Sequence, residues 1–171
     1  MDQSDLQSRQ NPLKEEYKSN PDKAVVTLKA EGRLGEGVSC SVDTGKAIAE
    51  AGLHPATGGD GSQLCSGDML LEALAACTGV TMKAVATSLG IELRDGVIKT
   101  EGEVDFRGTL GVDKQAPVGF REIRLNAEID TDADEEQLKT LMKLTERFCV
   151  VFQTIKQGVD VKVGYRRVES S

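Results

Sequence analysis

The sequence predicts an α+β fold in which antiparallel sheets wrap around a long buried central helix. Three observations carry this. Residues 97–107 and 121–129 alternate apolar and charged side chains, the period of strands buried on one face. Residues 68–89 are apolar on nearly every side of a helix, the mark of a helix buried all round. An amphipathic helical pattern follows from Asp132, with its apolar residues three and four apart.

In chain order, residues 1–23 are polar and rich in Ser, Gln, Asn and Lys, and are expected to be a flexible N-terminal arm. Residues 24–171 then form a single domain, as a length of 171 residues favours. Ala24-Val25-Val26-Thr27-Leu28 opens the regular structure as a strand, Gly32 to Gly37 is a turn, and Val38, Cys40 and Val42 alternate with polar residues as a second strand. Cys40 then points inward as a small core side chain. Residues 52–67 are irregular. Their Gly58-Gly59-Asp60-Gly61-Ser62 lacks the Gly-Lys-Ser/Thr ending of a phosphate cradle. Cys65 lies in this loop, where it reads as a bystander.

The central helix starts at Asp68, with Ser66 or Asp68 as its cap. Its small stripe of Ala73, Ala76, Cys77 and Val80 permits close approach of another element. A buried helix this long needs more cover than one small sheet offers, which suggests a helix pair across a dimer. In the first long strand Ile98, Thr100, Gly102, Val104 and Phe106 share a face; in the second, Ile123, Leu125, Ala127 and Ile129 do. The next helix begins at Asp132 with Glu135 in the capping-box position, and buries Leu138, Leu141, Met142, Thr145 and Phe148. A short helix over 149–157 and a strand through Val159, Val161, Val163 and Tyr165 complete the domain.

Composition removes several functions. With 28 acidic and 21 basic side chains the net charge is −7, so nucleic acid and anionic membrane surfaces are poor partners. No stretch approaches about 18 uncharged apolar residues, so no transmembrane helix is expected. The first twenty residues lack the apolar core of a secretory signal, which leads to the expectation of a cytoplasmic protein. The four cysteines include no C-x-x-C pair, and the single histidine, His54, sits beside Pro55 in a loop. Neither a metal site nor a His-dependent nucleophile is expected, and no flavin or nicotinamide signature is present. In a reducing compartment widely spaced thiols are either packing residues or redox-active.

Two thiols stand in suggestive places. Cys149 lies at the junction of two helical segments, where the N–H groups of the second would favour its thiolate and Arg147 is close. Cys77 lies about three turns into its helix, beyond the reach of that helix's own dipole, and needs a separate cation to be reactive.

The segment Gly67-Asp68-Met69-Leu70-Leu71-Glu72-Ala73-Leu74-Ala75-Ala76-Cys77, with Phe148-Cys149-Val150-Val151 some seventy residues on, resembles the OsmC/Ohr family of osmotically inducible and organic hydroperoxide resistance proteins. The resemblance covers roughly residues 25–167. It implies an intertwined homodimer with two central helices, sites built from both subunits, and thiol-dependent reduction of organic hydroperoxides without a cofactor. Cys77 matches the family's peroxidatic cysteine and Cys149 its resolving cysteine. Arg33, in the first hairpin, matches by position the arginine that holds the thiolate. An external dithiol, such as a lipoyl group, would reduce the resulting disulfide. The chain departs from the family pattern twice. Gly67-Asp68 stands where many members have Pro-Glu-Glu, which leaves Asp68 or Glu72 to fix the arginine. Glu72 lies about 140° around the helix from Cys77. Cys149-Val150 stands where many have Cys-Pro. Two other readings follow from these features: a non-catalytic relative that binds a small apolar ligand at the dimer interface, and a redox-sensing dimer.

Overall fold

The computed structural model describes residues 2–25, 27, 31–34, 39–43, 48–111 and 113–167. The polar N-terminal stretch, expected as a flexible arm, is helical over α1 (Gln3–Ser19). Asp2 caps it, its carboxylate accepting from the Asp5 N–H at 2.8 Å. The Gln3 amide donates to the Ser88 carbonyl at 3.1 Å and ties the helix to a distant part of the chain. Pro12 inside the helix hides it from a sequence reading. One 3₁₀ turn (Pro21–Ala24) follows, so Ala24 and Val25 do not open a strand.

The first sheet joins β1 (Glu31–Leu34), β2 (Ser39–Asp43), β3 (Ile48–Gly52) and β4 (Leu64–Cys65) in that order. The expected hairpin is present, but its first strand lies later in the chain, with Gly32 opposite Val42 and Leu34 opposite Cys40. Gly32-Arg33, expected in a turn, is therefore strand. The turn itself, residues 35–38, and the Cys40 side chain lie outside the described residues. β4 pairs with β3 in parallel. The loop between them is stapled by His54, whose Nδ1 accepts from the Ala56 N–H at 3.0 Å and whose ring stacks 4.9 Å from Phe106.

The central helix α2 (Ser66–Leu89) follows β4 directly. Cys65 is its N-cap and makes no side-chain cap bond, so neither Ser66 nor Asp68 is the cap. It stops where Gly90 adopts φ +71, a left-handed cap that costs glycine little; the N–H groups of Gly90 and Ile91 then close the last turn. By length and hydropathy (1.4 over an 18-residue window) α2 could cross a bilayer. Here α1, β4 and the later segments Asp95–Val104, Glu135–Phe148 and Val150–Gln157 pack against it. Its cover is one-sided: Leu74, Thr78, Met82, Val85 and Ala86 are buried, whereas Ala73, Ala76 and Val80 are exposed, Val80 at 73%.

β5 (Asp95–Val104) and β6 (Phe120–Asp130) form the second, antiparallel sheet, with Thr100 opposite Leu125 and a register shift at Glu103/Val104. Ile98, Thr100, Gly102 and Val104 share the half-buried face as expected; Phe106 instead begins the one-turn α3 (Phe106–Thr109). Gly102 is required there, since a Cβ would meet the Glu122 carbonyl and the Phe120 ring at 2.8 Å. α4 (Glu135–Phe148) starts two residues later than expected. Asp134 and Gln137 form its capping box, because Asp132 is engaged by the Arg94 guanidinium at 2.6 Å. Leu141 and Thr145 are buried and Leu138 and Met142 half-buried, but Phe148 is exposed. α5 (Val150–Gln157) ends the regular structure. The expected last strand has no sheet partner among the described residues; Val159, Val161, Val163 and Tyr165 stand exposed.

The core lies between the C-terminal half of α2, the β5–β6 sheet and α4. Met82, Val85, Ala86, Ile91, Leu93 and Leu141 form its centre.

Candidate functional site

Cys149 is the hinge between α4 and α5. Its N–H donates to the Thr145 carbonyl at 2.9 Å and closes α4; its carbonyl accepts from the Gln153 N–H at 3.0 Å and opens α5. Its own backbone is extended (φ −73, ψ 109), which breaks the two helices apart without glycine or proline. The Gln153 amide also donates to the Glu146 carbonyl at 2.7 Å, satisfying one of the last acceptors of α4. The turn delivers the Cys149 side chain to α2, where its sulfur is 1% exposed and lies 3.7 Å from the Thr78 hydroxyl.

Cys77 is half-buried on α2, one residue before Thr78. Burial opposes its ionisation, but the Val151 N–H, the Cys149 thiol, the Thr81 hydroxyl and the Val150 N–H together hold its pKa below the ordinary thiol range. Thr81 reaches the sulfur because it lies one turn on, at i+4. Val150 and Val151 are the first two residues of α5, so their N–H groups have no acceptor within that helix. They act here on a sulfur of a different helix.

This corrects the electrostatic expectation in one respect. The amino end of α5 was expected to favour the Cys149 thiolate; its N–H groups instead serve Cys77. Cys149 is part of the turn that places them, and as the N-cap of α5 it makes no side-chain cap bond of its own. Cys77 thus gains positive polarity from a helix end distant in sequence.

Asp68 and Glu72 are exposed on the first two turns of α2. Arg33 lies in β1, opposite Ser41; its side chain lies outside the described residues. Cys65 is half-buried at the start of α2, its sulfur near Gly67 and away from the thiol pair by the length of helix between them. Among the described residues no group of His, Cys, Asp and Glu could hold a metal ion.

A cleft of about 600 Å³ opens between α2, α5 and β6, and neither thiol lines it. Leu70 and Leu74 of α2 form one wall, Phe152 and Ile155 of α5 another, and the start of β6 with Phe120 a third. Leu74 is one turn before Cys77, and Phe152 follows Val151 directly. The walls are hydrocarbon; Arg121, Glu122 and Lys156 supply the charge.

Sequence reasoning missed Thr78, Thr81 and the two amides. The threonines carried a signal: hydroxyls at one and four residues after a cysteine, in a helix otherwise filled with apolar side chains, mark a polar spot on a buried surface. The amides carried none, since which sulfur they meet depends on how α5 docks.

The family model for OsmC-like protein matches residues 59–164, which includes both thiols and leaves Arg33 outside. No curated protein matches the sequence. The structure is similar to that of an OsmC-like protein from Mycoplasma pneumoniae (TM-score 0.65, 22% identity, 78% of this chain and 89% of that one). It is also similar to an organic hydroperoxide resistance protein OsmC from Legionella pneumophila, described as a predicted redox protein (0.62, 20%, 81% and 95%). The organic hydroperoxide resistance protein OhrB of Bacillus subtilis is a third (0.53, 24%, 80% and 96%). At these identities the likeness is one of fold. With the family model spanning more than half of its length, the chain belongs to the OsmC-like protein family.

Proposed function

We propose that the protein reduces organic hydroperoxides with Cys77 as peroxidatic and Cys149 as resolving thiol. The observation that carries this reading is that Cys149 is buried against Thr78, the residue next to Cys77 on α2; the depressed pKa of Cys77 supports it. The Cys77 sulfur attacks the distal oxygen of ROOH and the O–O bond breaks. The alkoxide leaves with the thiol proton as ROH, and Cys77 becomes a sulfenic acid. Cys149 sulfur then attacks Cys77 sulfur, the S–O bond breaks, and hydroxide departs with the Cys149 proton as water. An external dithiol, a lipoyl group being one such, returns the disulfide to two thiols by exchange. The apolar cleft, whose wall residue Leu74 lies one turn before Cys77 on α2, suits an organic substituent R. Arg33 is the guanidinium proposed to orient the peroxide, with Asp68 or Glu72 to fix it.

The working unit is a homodimer in a reducing, cytoplasmic setting. The exposed stripe of Ala73, Ala76 and Val80 on α2 and the unpaired Val159–Tyr165 segment are apolar surfaces that a second copy would cover.

The test is to mix reduced protein with cumene hydroperoxide and count thiols. The wild type loses about two per chain, and Cys77→Ser consumes no peroxide. Equal consumption by that variant discards the reading. The cleft, whose lining does not include Cys77, supports a second reading in which an apolar molecule binds without turnover; saturable binding with all thiols intact selects it.

A further inference from the structure

Thr78 and Thr145 are the two buried polar residues among those described, at 2% and 1% exposed, and both flank Cys149. A hydroxyl in an apolar core costs stability unless it is hydrogen-bonded, and valine would fill the same space without that cost. A helical threonine has an easy local solution, shown by Thr87, whose hydroxyl donates to the carbonyl four residues back at 2.8 Å. Thr78 does otherwise: its hydroxyl bonds across to Cys149 sulfur at 3.7 Å. That bond has two possible directions. In either direction the bond ties the Cys149 sulfur to the residue that follows Cys77 on α2.

We propose that Thr78 is the positioning residue of the resolving thiol, its hydroxyl bond to Cys149 Sγ holding that sulfur beside Cys77, the preceding residue on α2. This rests on the two-thiol reading above and adds a residue to it. The bond links α2 to the turn between α4 and α5 and keeps the buried Cys149 sulfur from turning away. In the resolving step Cys149 gives its proton to the departing hydroxide while its sulfur bonds to Cys77. The Thr78 hydroxyl, donating at that step, offsets the negative charge that develops on Cys149. No oxidant beyond the hydroperoxide enters, and Thr78 is unchanged at the end.

The test compares wild type, Thr78→Val and Thr78→Ser in single turnover with cumene hydroperoxide, at a pH where Cys77 is ionised in all three. Sulfenic acid is trapped with dimedone, and the Cys77–Cys149 disulfide is followed by mass spectrometry of peptides. Thr78→Val is expected to form sulfenic acid at the wild-type rate and the disulfide about tenfold more slowly, equivalent to ~1.4 kcal/mol on that barrier. Dimedone adducts should accumulate accordingly. Thr78→Ser, which keeps the hydroxyl and loses a methyl group, is expected to restore most of the disulfide rate. Disulfide formation at the wild-type rate in Thr78→Val overturns the proposal; so does a Thr78→Ser variant as slow as Thr78→Val, which would make the effect one of packing. Oxidation with diamide forms the same disulfide without peroxide turnover. If the wild type forms it with diamide but consumes no hydroperoxide, the peroxidase reading fails. The Thr78 proposal is then decided by the diamide rates alone.

Discussion

Val150→Pro is a sharp probe of what ionises Cys77. Val150 is the first residue of α5, a position where proline's fixed φ suits the helix and its missing N–H breaks no helical bond. The residue before a proline must be extended, and Cys149 already is, with ψ 109. The Val150 side chain is 67% exposed, so little packing is lost. What disappears is one N–H aimed at the Cys77 sulfur. A hydrogen bond to a charged group contributes about 1.5–3 kcal/mol. The Val150 bond is the smallest of the named contributions to Cys77, and the sulfur is only partly buried, so half of that range is appropriate. The sign is fixed: losing a donor to the thiolate raises the pKa, so alkylation at neutral pH slows, by about three- to tenfold for about 0.7–1.4 kcal/mol, while the rates converge at high pH. The pH dependence of iodoacetamide alkylation at Cys77, read by mass spectrometry, measures this directly. A midpoint that stays in place or moves down, in a variant with an unaltered unfolding temperature, refutes the view that the start of α5 favours the thiolate.

Two further outcomes follow from the fold. Leu141 is fully buried between α2 and the sheet, so Leu141→Ala should cost about 3 kcal/mol in urea unfolding; a loss below about 1 kcal/mol would mean that the site collapses or is not core. The Asp105 carboxyl is bonded by the Arg107 guanidinium and backbone N–H and held down at about 2, against 3.8 ordinarily. Its folded pKa is depressed, so its stabilisation is complete above the ordinary value and is lost as pH falls through about 2; Asp105→Asn should flatten the fall in unfolding temperature across that window, and an unchanged slope would contradict the pairing.

The long strands were legible because burial on one face writes a period of two directly into residues 97–104 and 121–129. The same is true of α2, α4 and α5, whose apolar spacing survives any tertiary context. Boundaries were legible only where a local rule set them. Gly90 ends α2 by its own conformational freedom, but the start of α4 moved to Asp134 because a distant arginine claimed Asp132. The N-terminal helix was hidden by Pro12 and by a polarity that signals no packing face. The first hairpin was found with its first strand misplaced, because β-branched residues at 25–27 were a stronger strand signal than Glu31-Gly32-Arg33-Leu34.

By itself, the sequence determined the two long strands, the face each one buries, and the helices α2, α4 and α5 that hold the two thiols. These follow from local spacing of apolar side chains, a property of neighbours along the chain. The tertiary structure alone decided that the start of α5 favours the thiolate of Cys77, and that Thr78 turns its hydroxyl to a sulfur 71 residues away. Such contacts join groups remote in sequence through unpatterned backbone donors, so they exist only once α4 and α5 have docked on α2.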